Sequence, residues 1–113
     1  MEITLYQIDA FTSKLFEGNP AAVCPLKAWL PNEIMQSIAA ENNLSETAFL
    51  VEMDGYYDLR WFTPKVEVDL CGHATLASAH VIFNFINNTI SSVKFKTASG
   101  QLEVTKSQDL LSM

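Results

Sequence analysis

The hydrophobic positions of this chain repeat with the period of strands in some stretches and with the period of helices in others. Alternating, β-branched and aromatic residues bounded by turn signals predict strands over residues 3–11, 21–25, 44–52, 56–63, 93–97 and 102–105. The turn signal Met53-Asp54-Gly55 predicts that the third and fourth of these strands form a hairpin. Apolar residues at helical spacing predict a helix from Pro31 to about Asn43. Its packed face is predicted to hold Ile34, Met35, Ile38 and Ala39.

A second helix is predicted to begin at Gly72, and it is apolar on nearly every side. Its apolar residues are Ala74, Leu76, Ala77, Ala79, Val81, Ile82, Phe83, Phe85 and Ile86. A helix without a polar face must be enclosed by other elements. The pattern therefore predicts an α+β fold in which strands curl around one buried helix and the shorter first helix lies outside.

The length of 113 residues suits one domain or half of a larger one. Residues 107–109 predict a turn, and residues 110–113 begin what should be the return strand of a hairpin. An unpaired edge of this kind is normally covered in a complete domain. We expect the chain to be a fragment, or a half that pairs with a second copy of itself.

The charge of the chain argues against two classes of partner. Thirteen acidic residues against seven basic ones give a net charge of −6, and no run of Lys or Arg is present. Such a chain repels nucleic acid and anionic membranes. The first residues lack the pattern of a signal peptide, and residues 74–86 are too short an apolar stretch to span a bilayer. We therefore predict a cytoplasmic protein.

The two cysteines, Cys24 and Cys71, are far apart and lack the spacing of metal ligands. We predict reduced and mostly buried thiols, and no zinc site.

The junction Cys71-Gly72-His73 is the first candidate site. The first turn of a helix leaves backbone N–H groups without intrahelical partners and carries the positive end of the helix dipole, so it favours a carboxylate-bearing ligand. Gly72 allows close approach to the backbone, and His73 offers a proton-transfer group beside it. A histidine that caps or packs the helix end is the alternative interpretation of His73.

Glu46 is the second candidate. On a strand it shares a face with Leu44, Ala48 and Leu50, and apolar surroundings favour the neutral form of a carboxyl group, which suits a general acid or base. The alternative is a charge on an edge strand that points to water.

Three further residues carry competing interpretations. His80 lies on the predicted buried helix and is better explained as a core residue than as a catalyst. Cys71 is either a thiolate favoured by the helix terminus, which would need a second thiol opposite it, or a small buried apolar residue. Asn19, before Pro20, either forms a plain turn or places an amide near the same site.

These residues occur in ordered motifs that resemble the phenazine biosynthesis PhzF-like proteins. The motifs are Ile8-Asp9-Ala10-Phe11 with residues 16–23, Asn43-Leu44-Ser45-Glu46 with residues 47–49, residues 59–64, residues 67–75 and Thr97-Ala98-Ser99-Gly100. The resemblance implies a diaminopimelate epimerase-like fold, in which two similar halves each wrap a mixed or antiparallel sheet around a central helix. Residues 1–113 would be the N-terminal lobe, and the second lobe, which supplies an aspartate, is absent.

The resemblance also implies roles for individual residues. Glu46 would shuttle a proton in an isomerisation, without metal or organic cofactor. Ser45, Gly72 and His73 would contact a small carboxylate-bearing substrate, whose identity is not carried over because the motifs are closer to relatives of unassigned substrate.

Three hypotheses follow from the sequence. The leading one is a cofactor-independent isomerase with Glu46 and His73 as catalytic residues and Ser45, Gly72 and Asn19 as substrate-binding residues. The second is an epimerase or racemase that uses Cys71. The third is a member that binds a ligand or a protein without catalysis.

Overall fold

A computed structural model describes residues 3–8, 20–69, 71–107 and 110–112 of the chain. In this part, eight strands and two helices follow one another, with a π-helical turn after the second helix. Their bounds are β1 Tyr6–Ile8, β2 Ala21–Leu26, α1 Asn32–Asn42, β3 Glu46–Glu52, β4 Tyr57–Phe62, β5 Glu67–Val68, α2 Gly72–Val81, the π-helical turn Ile82–Ile86, β6 Ser92–Thr97, β7 Gly100–Ser107 and β8 Leu110–Ser112. The predicted α+β class is confirmed.

All eight strands belong to one mixed sheet with the order β1-β2-β3-β4-β6-β7-β8, and β5 pairs with β4 beside this path. The pairs β2–β3 and β4–β6 are parallel, and the others are antiparallel. Each parallel pair needs a crossover, and α1 and α2 lie on these two connections. The two crossovers start from strands that run in opposite directions, and both step the same way along the sheet. Right-handed crossovers of this kind put their helices on opposite faces of the sheet.

The hydrophobic core has the two layers that this topology requires. Alternate residues of β3 point to opposite faces, so that Ala48 and Leu50 pack with α2 whereas Phe49 packs with α1. The predicted face of Glu46 is therefore the face toward α2.

Helix α2 is enclosed over most of its length, as the apolar pattern predicts. Its buried residues are Ala74, Thr75, Ala77, Ser78, Ala79 and Val81, followed by Ile82 and Phe83 in the π-helical turn. The prediction is wrong for Phe85 and Ile86, which are 59% and 39% exposed. A π-helical turn has more residues per turn than an α-helix, so the earlier apolar period no longer decides which side chains turn inward.

Helix α1 begins and ends close to the predicted positions. Pro31 precedes the first helical residue, and its carbonyl oxygen accepts hydrogen bonds from the backbone N–H groups of Ile34 and Met35. Asn43 ends the helix in the left-handed conformation at φ 52°, which asparagine tolerates well. Ile34 was predicted to lie on the packed face but is exposed, because the buried stripe is narrower and follows Met35 and Ala39.

The predicted hairpin of β3 and β4 is confirmed, and Gly55 takes φ 88° in its turn. Strand β8 pairs antiparallel with β7, as the hairpin prediction for the last residues requires. Within residues 3–8, the first predicted strand is shorter than expected and covers only Tyr6–Ile8. Residues 9–11 lie outside the described part.

Among the described residues, no helix is both long enough and apolar enough to cross a membrane.

Candidate functional site

The structure brings Glu46, Cys71 and His73 together where β3 begins and α2 begins. Nε2 of His73 is in direct contact with Oε1 of Glu46. The thiol of Cys71 donates a hydrogen bond to the same oxygen, with 3.3 Å between Sγ and Oε1. Sγ also lies 3.7 Å from Nδ1 of His73. Two sequence-predicted catalytic residues, Glu46 and His73, are therefore in direct contact.

The carboxylate of Glu46 is sheltered from water. Its side chain is 15% exposed, and that of His73 is 25% exposed. Strand β3 lies between β2 and β4 inside the sheet, so the alternative of an edge-strand charge is wrong. Both side chains keep partial access to solvent, which a substrate needs to reach a general acid or base.

Cys71 is the residue immediately before α2, and its surroundings favour the neutral thiol. Burial raises the pKa of the Cys71 thiol to about 12, while the backbone N–H groups of Ala74 and His73 act to lower it and the charge of Glu46 acts to raise it. The sequence hypothesis of a thiolate stabilised by the helix terminus is therefore wrong for this state, because burial outweighs the helix amides.

Cys24 lies on the other face of the sheet, in the cluster around α1. Burial raises its pKa to about 12 as well. Both cysteines are free and buried, and the prediction that they are buried is confirmed.

The first turn of α2 is held by its own hydroxyl groups. The carbonyl oxygen of Cys71 accepts hydrogen bonds from the backbone N–H and from Oγ1 of Thr75, at 3.1 and 2.8 Å. Oγ of Ser78 donates to the carbonyl oxygen of Ala74 at 2.8 Å. These buried polar groups are satisfied within the helix, so the helix can be enclosed without leaving them unpaired.

The predicted substrate-binding residues are only partly placed. Gly72 opens α2 and is half-buried beside His73, and Ser45 is half-buried directly before β3. Asn19 lies outside the described residues; Ala21, two positions later in the chain, is the register partner of Glu46. The roles of all three residues stay predictions.

The site also holds three different metal-ligand types, which sequence reasoning missed. One ligand atom each from Glu46, Cys71 and His73 lies within 4.8 Å of the others. The prediction of no zinc site considered only the spacing of the two cysteines. The sole signal in the sequence was the Cys-x-His spacing at residues 71–73. The third residue of the cluster, Glu46, lies on a strand 25 positions before Cys71.

Comparisons with known proteins agree with the motifs. A sequence profile of the family described as phenazine biosynthesis-like protein matches residues 8–112. A protein of Pseudomonas aeruginosa described as an uncharacterized isomerase is 58% identical over 113 residues, which is 100% of this chain and 44% of that protein. The crystal structure of a PhzF-family phenazine biosynthesis protein from Enterococcus faecalis matches with a TM-score of 0.91 at 52% identity, over 98% of this chain and 43% of that one.

A more distant structure shows the shared fold alone. It is described as a predicted epimerase from Pseudomonas aeruginosa and matches with a TM-score of 0.78 at 22% identity, over 97% of this chain and 41% of that one. The chain spans less than half the length of the relatives it matches. From the family match and these likenesses together, we conclude that the chain belongs to the phenazine biosynthesis-like (PhzF-like) family.

Proposed function

We propose that this chain is the proton-transferring lobe of a cofactor-independent isomerase that acts on a small carboxylate-bearing substrate. The observation that carries the proposal is the sheltered carboxylate of Glu46 in contact with His73 at the amino end of a buried helix. The description of the Pseudomonas aeruginosa relative as an uncharacterized isomerase supports the reaction class. The substrate, the glutamate mechanism and the independence from cofactors are parts of the proposal.

In the proposed reaction, Glu46 removes a proton from one carbon of the substrate and returns it to another carbon. The proton count is unchanged, so no oxidant or reductant is needed. His73 can hold or donate a proton next to Oε1 of Glu46, which keeps the carboxyl group in place between the two transfers.

The substrate carboxylate is proposed to lie against the first turn of α2. Backbone N–H groups there have no carbonyl acceptor within the helix, although those of His73 and Ala74 are directed at the sulfur of Cys71, and the helix dipole favours a negative charge. Gly72 has no side chain to obstruct the approach, and Ser45 supplies a hydroxyl group beside β3. Asn19 is proposed as a further substrate contact.

The alternative of a thiol base has less support. A thiol whose pKa is about 12 and which donates its proton to Glu46 is a poor proton acceptor near neutral pH. In the proposed mechanism, Cys71 instead holds the carboxyl group from one side.

The test is the incorporation of solvent deuterium into a panel of small carboxylic acids, measured by NMR. It is run on this chain alone and on this chain joined to the remaining part of the Pseudomonas aeruginosa relative. We expect Glu46→Gln to reduce exchange by about 10²-fold or more, because a general acid or base contributes at least that much. Glu52→Gln is the matched control, since Glu52 is exposed at the other end of the same strand.

Three outcomes separate the hypotheses. Exchange that persists in Glu46→Gln removes this residue from its proposed role. A severe loss in Cys71→Ser together with a mild effect of Glu46→Gln would support a thiol mechanism. Binding of an acid without any exchange would identify a binding protein.

A further inference from the structure

The cluster of Glu46, Cys71 and His73 combines a carboxylate oxygen, a sulfur and an imidazole nitrogen within 4.8 Å. We propose that these three residues bind one Zn²⁺ ion and that zinc thereby inhibits the site. The binding does not depend on the proposed isomerase activity, whereas the inhibition rests on it.

The separations of the donor atoms suit a tetrahedral ion. Bonds of about 2.0 to 2.3 Å to nitrogen, oxygen and sulfur place two ligand atoms of a tetrahedron roughly 3.3 to 3.8 Å apart. The observed separation of Sγ from Oε1 of Glu46 is 3.3 Å. Sγ lies 3.7 Å from Nδ1 and 4.0 Å from Nε2 of His73, and only one of these two nitrogens can bind the same ion. Nε2 of His73 and Oε1 of Glu46 are closer than this, so the carboxylate must turn away from Nε2 for both groups to bind the ion.

The donor set selects zinc among the divalent cations. Thiolate and imidazole ligands favour zinc over magnesium and calcium, which prefer oxygen ligands. The thiolate and the carboxylate together carry two negative charges, which balance the charge of the ion in this half-buried position. Three protein ligands leave a fourth position for water, as in zinc sites that remain open on one side.

Formation of the site releases the thiol proton, and any proton on the coordinating nitrogen of His73 must leave that nitrogen as well. The Sγ–H bond of Cys71 breaks as the Sγ–Zn bond forms, and the proton passes to the buffer. The backbone N–H groups of His73 and Ala74, which favour the thiolate, stay directed at the sulfur and stabilise the ligand in its metal-bound form.

Zinc would occupy the two groups that the proposed isomerisation uses. A carboxylate and an imidazole that coordinate an ion cannot accept a proton from a substrate. One bound ion should therefore stop deuterium exchange, and removal of zinc with a chelator should restore it.

The experiment titrates the 113-residue chain, without a histidine tag, with Zn²⁺ and then with Co²⁺. Calorimetry should show one Zn²⁺ per chain, and Co²⁺ should give a sulfur-to-cobalt charge-transfer band in the near ultraviolet. The band reports coordination by sulfur in the unaltered protein, so it does not depend on whether a variant folds. Cys71→Ala, Cys71→Ser and His73→Ala should each weaken binding by at least about tenfold.

Cys24→Ala is the matched control, because Cys24 is also a buried free thiol but lies on the other face of the sheet. It should retain the affinity and the cobalt band. The proposal is overturned if no ion binds, if the cobalt band is absent, or if the Cys71 variants bind zinc as well as the unaltered chain. Zinc binding in a protein that shows no exchange would support the metal site and refute the isomerase, while exchange that continues with one zinc bound would refute the inhibition.

Discussion

His73 and His80 lie on the same helix, but their surroundings differ. His73 is at the amino end, in contact with Glu46. His80 is at the other end, half-buried, and Asn84 donates a hydrogen bond to its carbonyl oxygen at 2.8 Å. The sequence interpretation of His80 as a packed residue rather than a catalyst agrees with this position.

The titration of His80 predicts how stability depends on pH. Burial lowers its pKa below the ordinary value of 6.5, and the charge of Lys106 adds to the shift. As the pH falls below that ordinary value, the unfolded chain takes up a proton that the folded chain resists, so the free energy of unfolding decreases. This decrease in the free energy of unfolding should be absent above the ordinary histidine pKa, and it should be complete once the pH is below the lowered pKa of folded His80.

The measurement is urea denaturation over a series of pH values through this window, on the unaltered chain and on His80→Gln. The variant should lose part of the decrease toward acid pH. Lys94→Gln, an exposed lysine on β6, is the control and should leave the slope unchanged. An identical slope in His80→Gln would show that other groups cause the dependence.

Arg60 connects three elements of the fold. Its guanidinium group donates two hydrogen bonds of 2.7 Å to Glu67 of β5 and one of 3.0 Å to Asn32 of α1. It also lies over the rings of Trp29 and Phe62, at 5.4 and 5.5 Å. This side chain therefore fastens β5 to β4 and to the start of α1, close to the segment that leads into Cys71.

We predict that Arg60→Lys lowers the free energy of unfolding by about 1 kcal/mol, although it keeps the charge. Lysine cannot reproduce the planar fork of two hydrogen bonds, and partly exposed ion pairs contribute roughly 0.2 to 1 kcal/mol. The hydrogen bond from Arg60 lowers the pKa of Glu67. The contribution of this pair to the free energy of unfolding should therefore be present above the ordinary carboxyl pKa and lost as the pH falls through the lowered pKa of Glu67.

A double-mutant cycle of Arg60→Met and Glu67→Gln, measured by chemical denaturation at low and high salt, isolates this pair. Lys65→Gln, an exposed neighbour, is the control. Additive effects of the two substitutions would show that the ion pair contributes nothing.

At the scale of the whole molecule, one sheet separates two hydrophobic clusters. Leu59 belongs to the cluster on the α2 face and Met35 to the cluster on the α1 face, and both are buried. Because β3 and β4 supply side chains to both clusters, neither face can unfold without disturbing the other.

We predict that Leu59→Ala and Met35→Ala each lower the free energy of unfolding by about 2 to 5 kcal/mol, in a single transition. Far-ultraviolet and near-ultraviolet circular dichroism should report the same midpoint. Ile34→Ala is the matched control, since Ile34 is 39% exposed next to Met35, and it should change the free energy by about 0.5 kcal/mol or less. Two separate transitions would contradict a shared core.

The sequence predicted most of the elements because their signals are local. The ends of α1 follow from Pro31 and Asn43, and the hairpin of β3 and β4 follows from the turn at Gly55. The face of Glu46 follows from alternation along one strand. These features depend on neighbours in the chain, which a reader of the sequence can see.

Other features could not be predicted, because they depend on residues that are distant in the chain. One example is the parallel pairing of β4 with β6, and another is the set of contacts of Arg60 with Asn32 and Glu67. A third is the buried indole N–H of Trp61, which has no hydrogen-bond partner among the described residues. The exposure of Phe85 depends on a π-helical turn that no local pattern indicated.

By itself, the sequence determined the fold class, the two helices and the candidates Glu46 and His73, since periodicity and residue chemistry are local properties. Only the tertiary structure decided that Glu46 contacts His73, that Cys71 is a neutral thiol donating to the same carboxylate, and that the three residues form one cluster. The physical reason is that burial and the charge of a neighbour control proton affinity and metal binding, and both are set by the sheet that brings β3 against the start of α2.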